Sequence, residues 1–268
     1  MKSFRVEASA MACAILAIAS PLMAEQVTVT VKNLSTHDGL FLTPVWVGFH
    51  DGTFDPFNVG SPVMVGGGVE RIAEDGDVNR IRMGFAGSAA GMAGGVDGVI
   101  LAPNGFPGAP VFDPGESVTV VIDVDPALHP YFSFMSMLIP SNDGFIGNDD
   151  PMSLELFDDD GVFVGPLEFV VRGEDVLDAG TEANTEMAAA FFNQTAANTG
   201  TTTAEPVHQH PGFKGSHTNP DEPRMILGGT STAPPGIFFH PNRADFSRPN
   251  YRLARIRVAL LDSCRDDD

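Results

Sequence analysis

The sequence predicts an all-β protein: an antiparallel two-sheet β-sandwich with Greek-key connections, long loops and one or two short helices. Segments in which polar and apolar residues alternate, as they do in half-buried strands, are spread from one end of the chain to the other. Helical periodicity is scarce, and no segment has the composition of a linker between domains. The strands therefore belong to one sandwich rather than to two domains.

Seven segments are predicted to be strands. The first, 26–32 (QVTVTVK), places three valines on one face, since successive strand side chains point to opposite faces. Segments 117–124 (SVTVVIDV) and 131–139 (YFSFMSMLI) are the most hydrophobic and are expected at the centre of the sheets. In the last segment, 252–260 (RLARIRVAL), the alternation slips near Ala254, which predicts a β-bulge or a short helical start. The remaining segments are 44–49, 167–171 and 237–239.

Helices and loops fill the rest. Segments 70–78 (ERIAEDGDV) and 183–192 (ANTEMAAAFF) suit two or three helical turns each. The Ala- and Gly-rich stretch 86–98 is expected to be a loop or a loosely held helix, because it lacks the Gly-Lys-Ser/Thr step of a phosphate-binding loop. Residues 195–235 hold few large apolar side chains and many Thr, Pro, Gly and His residues, so we expect one long surface loop there.

Residues 1–24 have the layout of a secretory signal peptide. Lys2 and Arg5 give a positive start, and residues 10–20 form an apolar run too short to span a bilayer. Small residues precede the polar Glu25, so cleavage is expected after Ala24. A retained membrane anchor is the alternative. The prediction is an exported protein, periplasmic or extracellular.

Cleavage leaves a β-sandwich domain at 25–262 and an acidic tail at 263–268. The whole chain has 35 acidic and 15 basic residues, a formal charge of −20, which repels nucleic acid and anionic lipid and attracts cations. No segment after the signal is apolar enough to insert into a membrane. Cys264, the sole cysteine after the signal, allows no internal disulfide; it is an incidental residue, a free thiol or an intermolecular link.

A candidate metal ligand follows the segment 131–139. Pro140 cannot continue a central ladder, so the strand ends there. The chain then passes through Asn142, Asp143 and Gly144, residue types suited to tight turns. We therefore expect the Asp143 carboxylate to stand on a rigid base at one end of the sandwich and to point into solvent. Its alternative role is that of an Asx-turn residue, which bonds only its own backbone.

A second acidic segment, 176–182 (VLDAGTE), places Asp178 and Glu182 on either side of Gly180. A sharp turn at this glycine can fold both carboxylates toward one point. Calcium takes roughly six to eight oxygen ligands and tolerates irregular geometry, so carboxylates, carbonyl oxygens and water satisfy it. Asp178 has an alternative role as the helix cap of the 183–192 segment.

These two segments resemble the amino-terminal domain of the spondin family, found in F-spondin, in mindin and in many exported bacterial proteins. The specific likeness lies in 133–147 (SFMSMLIPSNDGFIG), above all from Pro140 onward, and in the Asp-Ala-Gly-Thr-acid segment at 178–182. A looser likeness in pattern covers most of the mature chain, from TVTVKNLST at 28–36 to LARIRVAL at 253–260.

The resemblance implies a two-layer sandwich, similar in topology to calcium-dependent lipid-binding modules, with a mainly structural calcium ion held by loops at one end. The family's ligands correspond to Asp143, Asp178 and Glu182. Family members usually have Asp in place of Glu182, whose longer side chain moves the ion or weakens the site, and commonly have Trp in place of Gly144. The half-cystines of the animal members are absent as well, so the resemblance does not extend to their partners.

A histidine-bearing loop offers a second metal site. His208 and His210 lie on one side of an extended segment, and His217 follows in the same stretch (HQHPGFKGSH). Zinc and copper accept such a set of imidazoles. The alternative is a flexible loop that merely contains histidines, because the sequence fixes no carboxylate or cysteine partner for them.

The chain has no Gly-x-Ser-x-Gly elbow and no Ser-x-x-Lys step, the patterns of common nucleophilic enzymes. The predicted function is therefore that of a non-enzymatic, exported, calcium-binding module used in binding or adhesion. Adhesion comes from the family resemblance, and the expected partner is an unidentified extracellular protein or glycan, not nucleic acid. The rival hypothesis is an envelope metal-handling protein or metalloenzyme that uses His208, His210 and His217.

Overall fold

The computed structural model describes residues 24–103, 110–186, 188–192, 194, 196–213, 237–248 and 250–261. The predicted signal peptide, His217, Cys264 and the acidic tail lie outside the described residues. Within those residues, no helix has the length and apolar character needed to cross a membrane.

The described residues form eleven strands and three α-helices, in the following order along the chain. The elements are β1 (Glu25–Asn33), β2 (Phe41–Leu42), β3 (Val45–His50), α1 (Gly68–Asp75), α2 (Asn79–Gly87), α3 (Ala89–Met92), β4 (Val96–Ile100), β5 (Ser117–Val124), β6 (Tyr131–Ile139), β7 (Gly144–Gly147), β8 (Leu167–Arg172), β9 (Leu177–Asp178), β10 (His208–Gln209) and β11 (Arg252–Leu260). A short 3-10 turn, Gly173–Asp175, links β8 to β9.

A four-stranded antiparallel sheet has the order β5-β1-β11-β8. In β1 the alternation of the sequence becomes an alternation of burial: Val27, Val29 and Val31 are buried, while Thr28 and Thr30 are half-buried on the opposite face. This is the pattern of a sheet with one face against the core and the other toward solvent.

The second sheet has seven antiparallel strands, in the order β10-β9-β7-β6-β3-β4, with β2 paired to β6. Every residue of β3 is buried, because this sheet is covered on both faces. Val47 and Phe49 of β3 pack into the core between the sheets, whereas Trp46 packs into a separate cluster on the outer face.

The helices form that outer cover. Ile72 of α1 and Phe85 of α2 pack with Trp46 and with Phe145 of β7 in the outer hydrophobic cluster. Helix α1 contacts both β6 and β7, so it lies over the strand end that carries Asp143. It ends at Gly76, which adopts φ 65° and returns its backbone N–H to the last turn, a left-handed cap that glycine tolerates best.

The structure confirms the two-sheet antiparallel sandwich. The predicted segments 117–124 and 131–139 coincide with β5 and β6, and the expected irregularity in 252–260 is a register shift between Arg252 and Ala254. Strand β5, however, is an edge strand rather than a central one. Its outer face is open, so alternate residues such as Val121 remain exposed.

Four local predictions differ from the structure. The segment 195–235, expected as one long surface loop, contains β10, and Val207 and Phe213 within it are fully buried. The described residues of 183–192 form turns rather than a helix, and 237–239 form no strand. The stretch 86–98, expected as a loop or loose helix, contains the end of α2, all of α3 and the start of β4. Tertiary contacts decide such short segments, in which local propensity is weak.

Candidate metal centre

Asp143 lies at the turn between β6 and β7, where the strand that ends at Ile139 gives way to the hairpin. Its side chain is fully buried, at 0% exposure. A carboxylate without solvent must find other donors, since desolvation of a charge is costly. Asp143 thus follows the end of the strand as expected, but the expectation that its carboxylate points into solvent is wrong.

The donors to Asp143 come from the second acidic segment. Its Oδ2 accepts hydrogen bonds from the backbone N–H groups of Thr181 at 2.7 Å and Glu182 at 3.0 Å. Ala179 also donates its backbone N–H to the Asp143 carbonyl oxygen at 3.1 Å. Asp143 therefore joins two loops almost forty residues apart, and the alternative of a simple Asx-turn residue is wrong.

The other oxygen of Asp143, Oδ1, is buried and has no hydrogen-bond partner among the described residues. A buried, unpaired carboxylate oxygen costs free energy unless a proton or a cation satisfies it. Burial first, and then the charge of Asp178, raise the pKa of Asp143 well above its usual range, against the opposing effect of the two backbone N–H donors.

Asp178 is the neighbouring carboxylate. It forms part of β9, pairs with Gly144 of β7 across the sheet and is 2% exposed. Its Oδ1 accepts the Gly180 N–H at 2.8 Å, and its Oδ2 accepts the Asn184 side-chain amide at 2.6 Å. Its expected alternative as the cap of a helix at 183–192 is wrong, because the described residues of that segment form no helix.

Gly180 produces the sharp turn that the sequence predicts. Its φ is +70°, and a Cβ atom there would lie 2.3 Å from the Glu205 carbonyl oxygen. Only glycine meets both conditions without strain. The turn lets Thr181 and Glu182 direct their backbone N–H groups at Asp143.

Glu182 reaches the same loops through its backbone, but its carboxylate turns elsewhere. Its Oε1 accepts the Gly200 backbone N–H at 2.8 Å. Burial is the main cause of the raised pKa of Glu182, and the charges of Asp75 and Glu70 add to it. The side chain thus lies near the acidic residues of α1.

No group of three or more His, Cys, Asp and Glu side chains is arranged to hold a metal ion within the described ranges. The structure brings Asp143 and Asp178 together as buried neighbours and places the Glu182 backbone, not its carboxylate, against them. Both Asp178 oxygens already accept hydrogen bonds, so Asp143 Oδ1 is the unpaired oxygen of the pair. The Glu182 carboxylate accepts the Gly200 N–H through Oε1.

A neutral oxygen lies beside the pair. Asn184 donates its amide group to Asp178, an arrangement that fixes which end of the amide is oxygen, since only the NH2 group can donate. The Asn184 Oδ1 is buried and has no hydrogen-bond partner among the residues described. No sequence pattern predicts this oxygen, because Asn184 follows the acidic motif rather than belonging to it.

Helix α1 supplies carboxylates that lie outside the two acidic segments predicted to form the site. Glu70 and Glu74 are both buried, and Glu74 Oε2 has no hydrogen-bond partner among the described residues. Burial is the main cause that raises the pKa of Glu74 to about 7, and Glu182, Glu70 and Asp75 add repulsion against a hydrogen bond with Thr181. The spacing of four residues places Glu70 and Glu74 on one face of the helix. This pattern does not predict a buried site, because it fits a solvent-exposed helix face equally well.

The histidine loop is only partly described, because His217 lies outside the described residues. His208 is half-exposed, and its Nε2 lies 3.9 Å from Asp178 Oδ2. His210 is buried, and its Nδ1 accepts the Gly212 N–H at 3.0 Å, which assigns the proton to Nε2. Burial lowers the pKa of His210 to about 4, so it is a neutral hydrogen-bond donor through Nε2.

A buried Ser–His pair elsewhere has the elements of a nucleophile but the wrong tautomer. His50 Nε2 and Ser133 Oγ are 2.9 Å apart, and both residues are buried. The His50 Nδ1 accepts the Gly52 N–H at 3.0 Å, so the ring carries its proton on Nε2 and donates to the hydroxyl. A base that already holds a proton at that position cannot take one from Ser133.

No protein-family model matches the chain, and no curated protein matches it.

Proposed function

We propose that the protein is an exported, non-enzymatic, calcium-binding β-sandwich module used for binding or adhesion in the periplasm or outside the cell. The spondin-like segments around Asp143 and Asp178 support this proposal. The two-sheet sandwich is compatible with it, and the strong negative charge of the chain favours a cation as the partner of the site.

The single observation that carries the proposal is the unpaired, buried Oδ1 of Asp143 beside a second buried carboxylate, Asp178. Two carboxylates in a solvent-free region repel each other, and a bound cation removes that repulsion. Calcium is favoured over zinc because the nearby groups are oxygens, including the unpaired Asn184 Oδ1.

In this proposal Asp143 and Asp178 hold the ion directly. Glu182 contributes its backbone N–H to Asp143, and its carboxylate Oε1 accepts the Gly200 N–H instead of joining the pair. The ion, when bound, joins the loops around residues 143 and 178. Its role is to stabilise these loops, and no reaction is assigned to them.

The tautomer of His50 supports a non-enzymatic role. The pair formed with Ser133 is the arrangement closest to a nucleophile and base among the residues discussed, and its proton is on the wrong nitrogen. This pair is better explained as a buried structural bond that satisfies two polar groups.

The first prediction tests the site through calcium-dependent stability. If calcium binds only the folded protein, a hundredfold excess over Kd raises the free energy of unfolding by about 2.7 kcal/mol. Urea unfolding in calcium and in chelator measures this difference. Asp143→Ala and Asp178→Ala should each abolish it, whereas Asp123→Ala, on the exposed edge strand β5, should keep it. Equal stability of the unmodified protein in calcium and chelator would refute the proposal.

The alternative is a metal-handling protein or metalloenzyme built on His208, His210 and His217. The bond from Gly212 to His210 Nδ1 counts against it, because ligation through Nε2 would move the ring proton to Nδ1 and oppose that N–H group. This alternative gains support if calcium has no effect, if zinc or copper at roughly micromolar concentration stabilises the protein, and if His210→Ala removes that effect.

A further inference from the structure

A cavity of about 470 Å³ lies outside the carboxylate pair, at the edge of the seven-stranded sheet. It is formed where the turn after β8, the segment after β10 and the loop before β11 meet. Its volume falls in the range of roughly 300–1,000 Å³ that is usual for small-molecule sites. The proposed calcium site does not use it; of the rival histidine set, only His210 lines it.

Two arginines line this cavity, Arg172 and Arg248. Arg172 is paired across the sheet with a third arginine, Arg252, so two like charges face each other. Neither Arg172 nor Arg252 has a carboxylate within ion-pair distance among the residues described, and Arg248 has one partner, Asp245, at 3.6 Å. The chain carries 35 acidic against 15 basic residues, so a group of arginines without full compensation points to an anionic ligand.

His210 also lines the cavity. It is 4% exposed, and its Nε2, which carries the proton, is buried and has no acceptor among the described residues. A buried donor without an acceptor costs free energy that an ordered water recovers. The cavity therefore combines guanidinium groups with part of the neutral His210 ring, and its affinity for an anion comes from the arginines.

The remaining polar lining suits hydroxyl groups rather than further negative charge. Gln209, Ser247 and Asn250 offer amide and hydroxyl groups, and Glu174 adds a carboxylate that accepts hydrogen bonds. A carboxylate in the wall repels polyanions but accepts readily from a sugar hydroxyl. The lining therefore favours a ligand with one negative charge and several hydroxyl groups.

We propose that this cavity binds an acidic sugar of the hexuronate class, with its carboxylate on Arg172 and Arg248 and its hydroxyls on Gln209, Asn250 and Glu174. This inference rests on the proposed role of the protein as a binding module and names its ligand. It does not depend on the calcium ion, because none of these groups belongs to the carboxylate pair.

The second prediction concerns calorimetric titration of the full protein with D-glucuronate, glucose and acetate, each in calcium and in chelator. Glucuronate should bind in both buffers. Glucose lacks the carboxylate and acetate lacks the hydroxyls, so each should bind at least tenfold more weakly. Arg172→Gln should raise the Kd for glucuronate by at least tenfold. Arg257→Gln, whose partner is Glu168 outside the cavity, should leave it unchanged. Thermal unfolding of both variants confirms that they fold.

Three results would overturn this inference: no saturable binding of glucuronate at millimolar concentration, acetate or glucose binding as tightly as glucuronate, or full retention of binding in folded Arg172→Gln. Its failure is distinguishable from failure of the calcium site. A protein that binds glucuronate and ignores calcium refutes only the ion, whereas one that calcium stabilises and glucuronate does not bind refutes only the sugar.

Discussion

The four-stranded sheet and the far end of the seven-stranded sheet are built on opposite principles. In the first, long strands such as β1 and β11 bury apolar side chains on one face and satisfy their backbones through a continuous ladder. In the second, β7, β9 and β10 have two to four residues each and surround buried polar groups. The four-stranded sheet therefore contributes mostly apolar burial, which stabilises the fold. The far end of the seven-stranded sheet holds the buried polar groups that can bind ligands.

This difference shows where the fold tolerates the free-energy cost of buried, unpaired polar groups. Asp143, Asp178, Glu182 and His210 are all buried among short strands and loops, and at least one atom of Asp143 and of His210 has no hydrogen-bond partner among the described residues. Such groups destabilise a fold unless something else satisfies them. The apolar sheet supplies the surplus stability that lets them persist.

The largest effect is expected from the third prediction, a change in the four-stranded sheet. Ile256 of β11 is fully buried between Val31 of β1 and Phe169 of β8. Ile256→Ala should lower the free energy of unfolding by about 2–5 kcal/mol, because it removes buried methylene groups and leaves a cavity. Urea unfolding should give the same loss in calcium and in chelator.

Arg257→Ala is the matched control for Ile256→Ala, since the neighbouring side chain points to the exposed face of the same strand. Its loss should stay within about 1 kcal/mol, the value of a surface ion pair. A loss at Ile256 that depends on calcium would contradict the separation of the two regions.

The sequence predicts the strand boundaries of the four-stranded sheet to within about a residue. The alternation in β1 and β5 survives into the fold because it matches the sheet's one buried face. The central position expected for β5 is wrong because its hydrophobicity fits an edge strand with one buried face equally well. Only the sheet order, which is a long-range property, separates the two cases.

The second region is harder to predict for a physical reason. Strands as short as β9 and β10 have no periodicity, and their existence depends on pairing: β9 pairs with β7, and β10 pairs with β9. Asp143 and Asp178 were predicted from turn residues and from a family resemblance, but the Glu182 carboxylate turns toward Gly200. That Glu74 lies close enough to Glu182 for their charges to interact follows only from the packing of α1 over β7.

The fourth prediction concerns His50, a buried polar residue within the well-packed part of the seven-stranded sheet. Burial lowers its pKa to about 4, although Asp51 opposes the shift and His129 adds to it. In the unfolded chain His50 is protonated below about pH 6.5, whereas in the folded protein it stays neutral until the pH approaches 4. Stability is therefore fully present above pH 6.5 and falls as the pH drops toward 4, by about 3 kcal/mol from this group.

His50→Gln removes this titrating group and can still donate to Ser133. The difference in unfolding free energy between the unmodified protein and the variant should therefore shrink by about 3 kcal/mol between pH 7 and pH 4. Urea unfolding across this range measures it. The histidine at position 210 titrates in both proteins, so its effect cancels. A constant difference would show that the pKa of His50 is the same in the folded and the unfolded protein.

The smallest effect, and the sharpest comparison of the two regions, is the fifth prediction, Asp143→Asn. The amide oxygen can accept from Thr181 and Glu182 as Oδ2 does, and the amide nitrogen takes the place of the unpaired Oδ1 beside Asp178. In chelator at neutral pH the variant should be more stable than the unmodified protein by about 1 kcal/mol, since charge repulsion in a buried place is relieved. In saturating calcium the order should reverse, because the amide leaves the ion with one charge fewer.

The control is Asp123→Asn on the exposed edge strand, which should change stability by less than about 0.5 kcal/mol in either buffer. If Asp143→Asn destabilises the protein equally in both buffers, the carboxylate serves only to accept hydrogen bonds from its two backbone donors. The buried polar end of the sheet then has a structural role and is not a cation site.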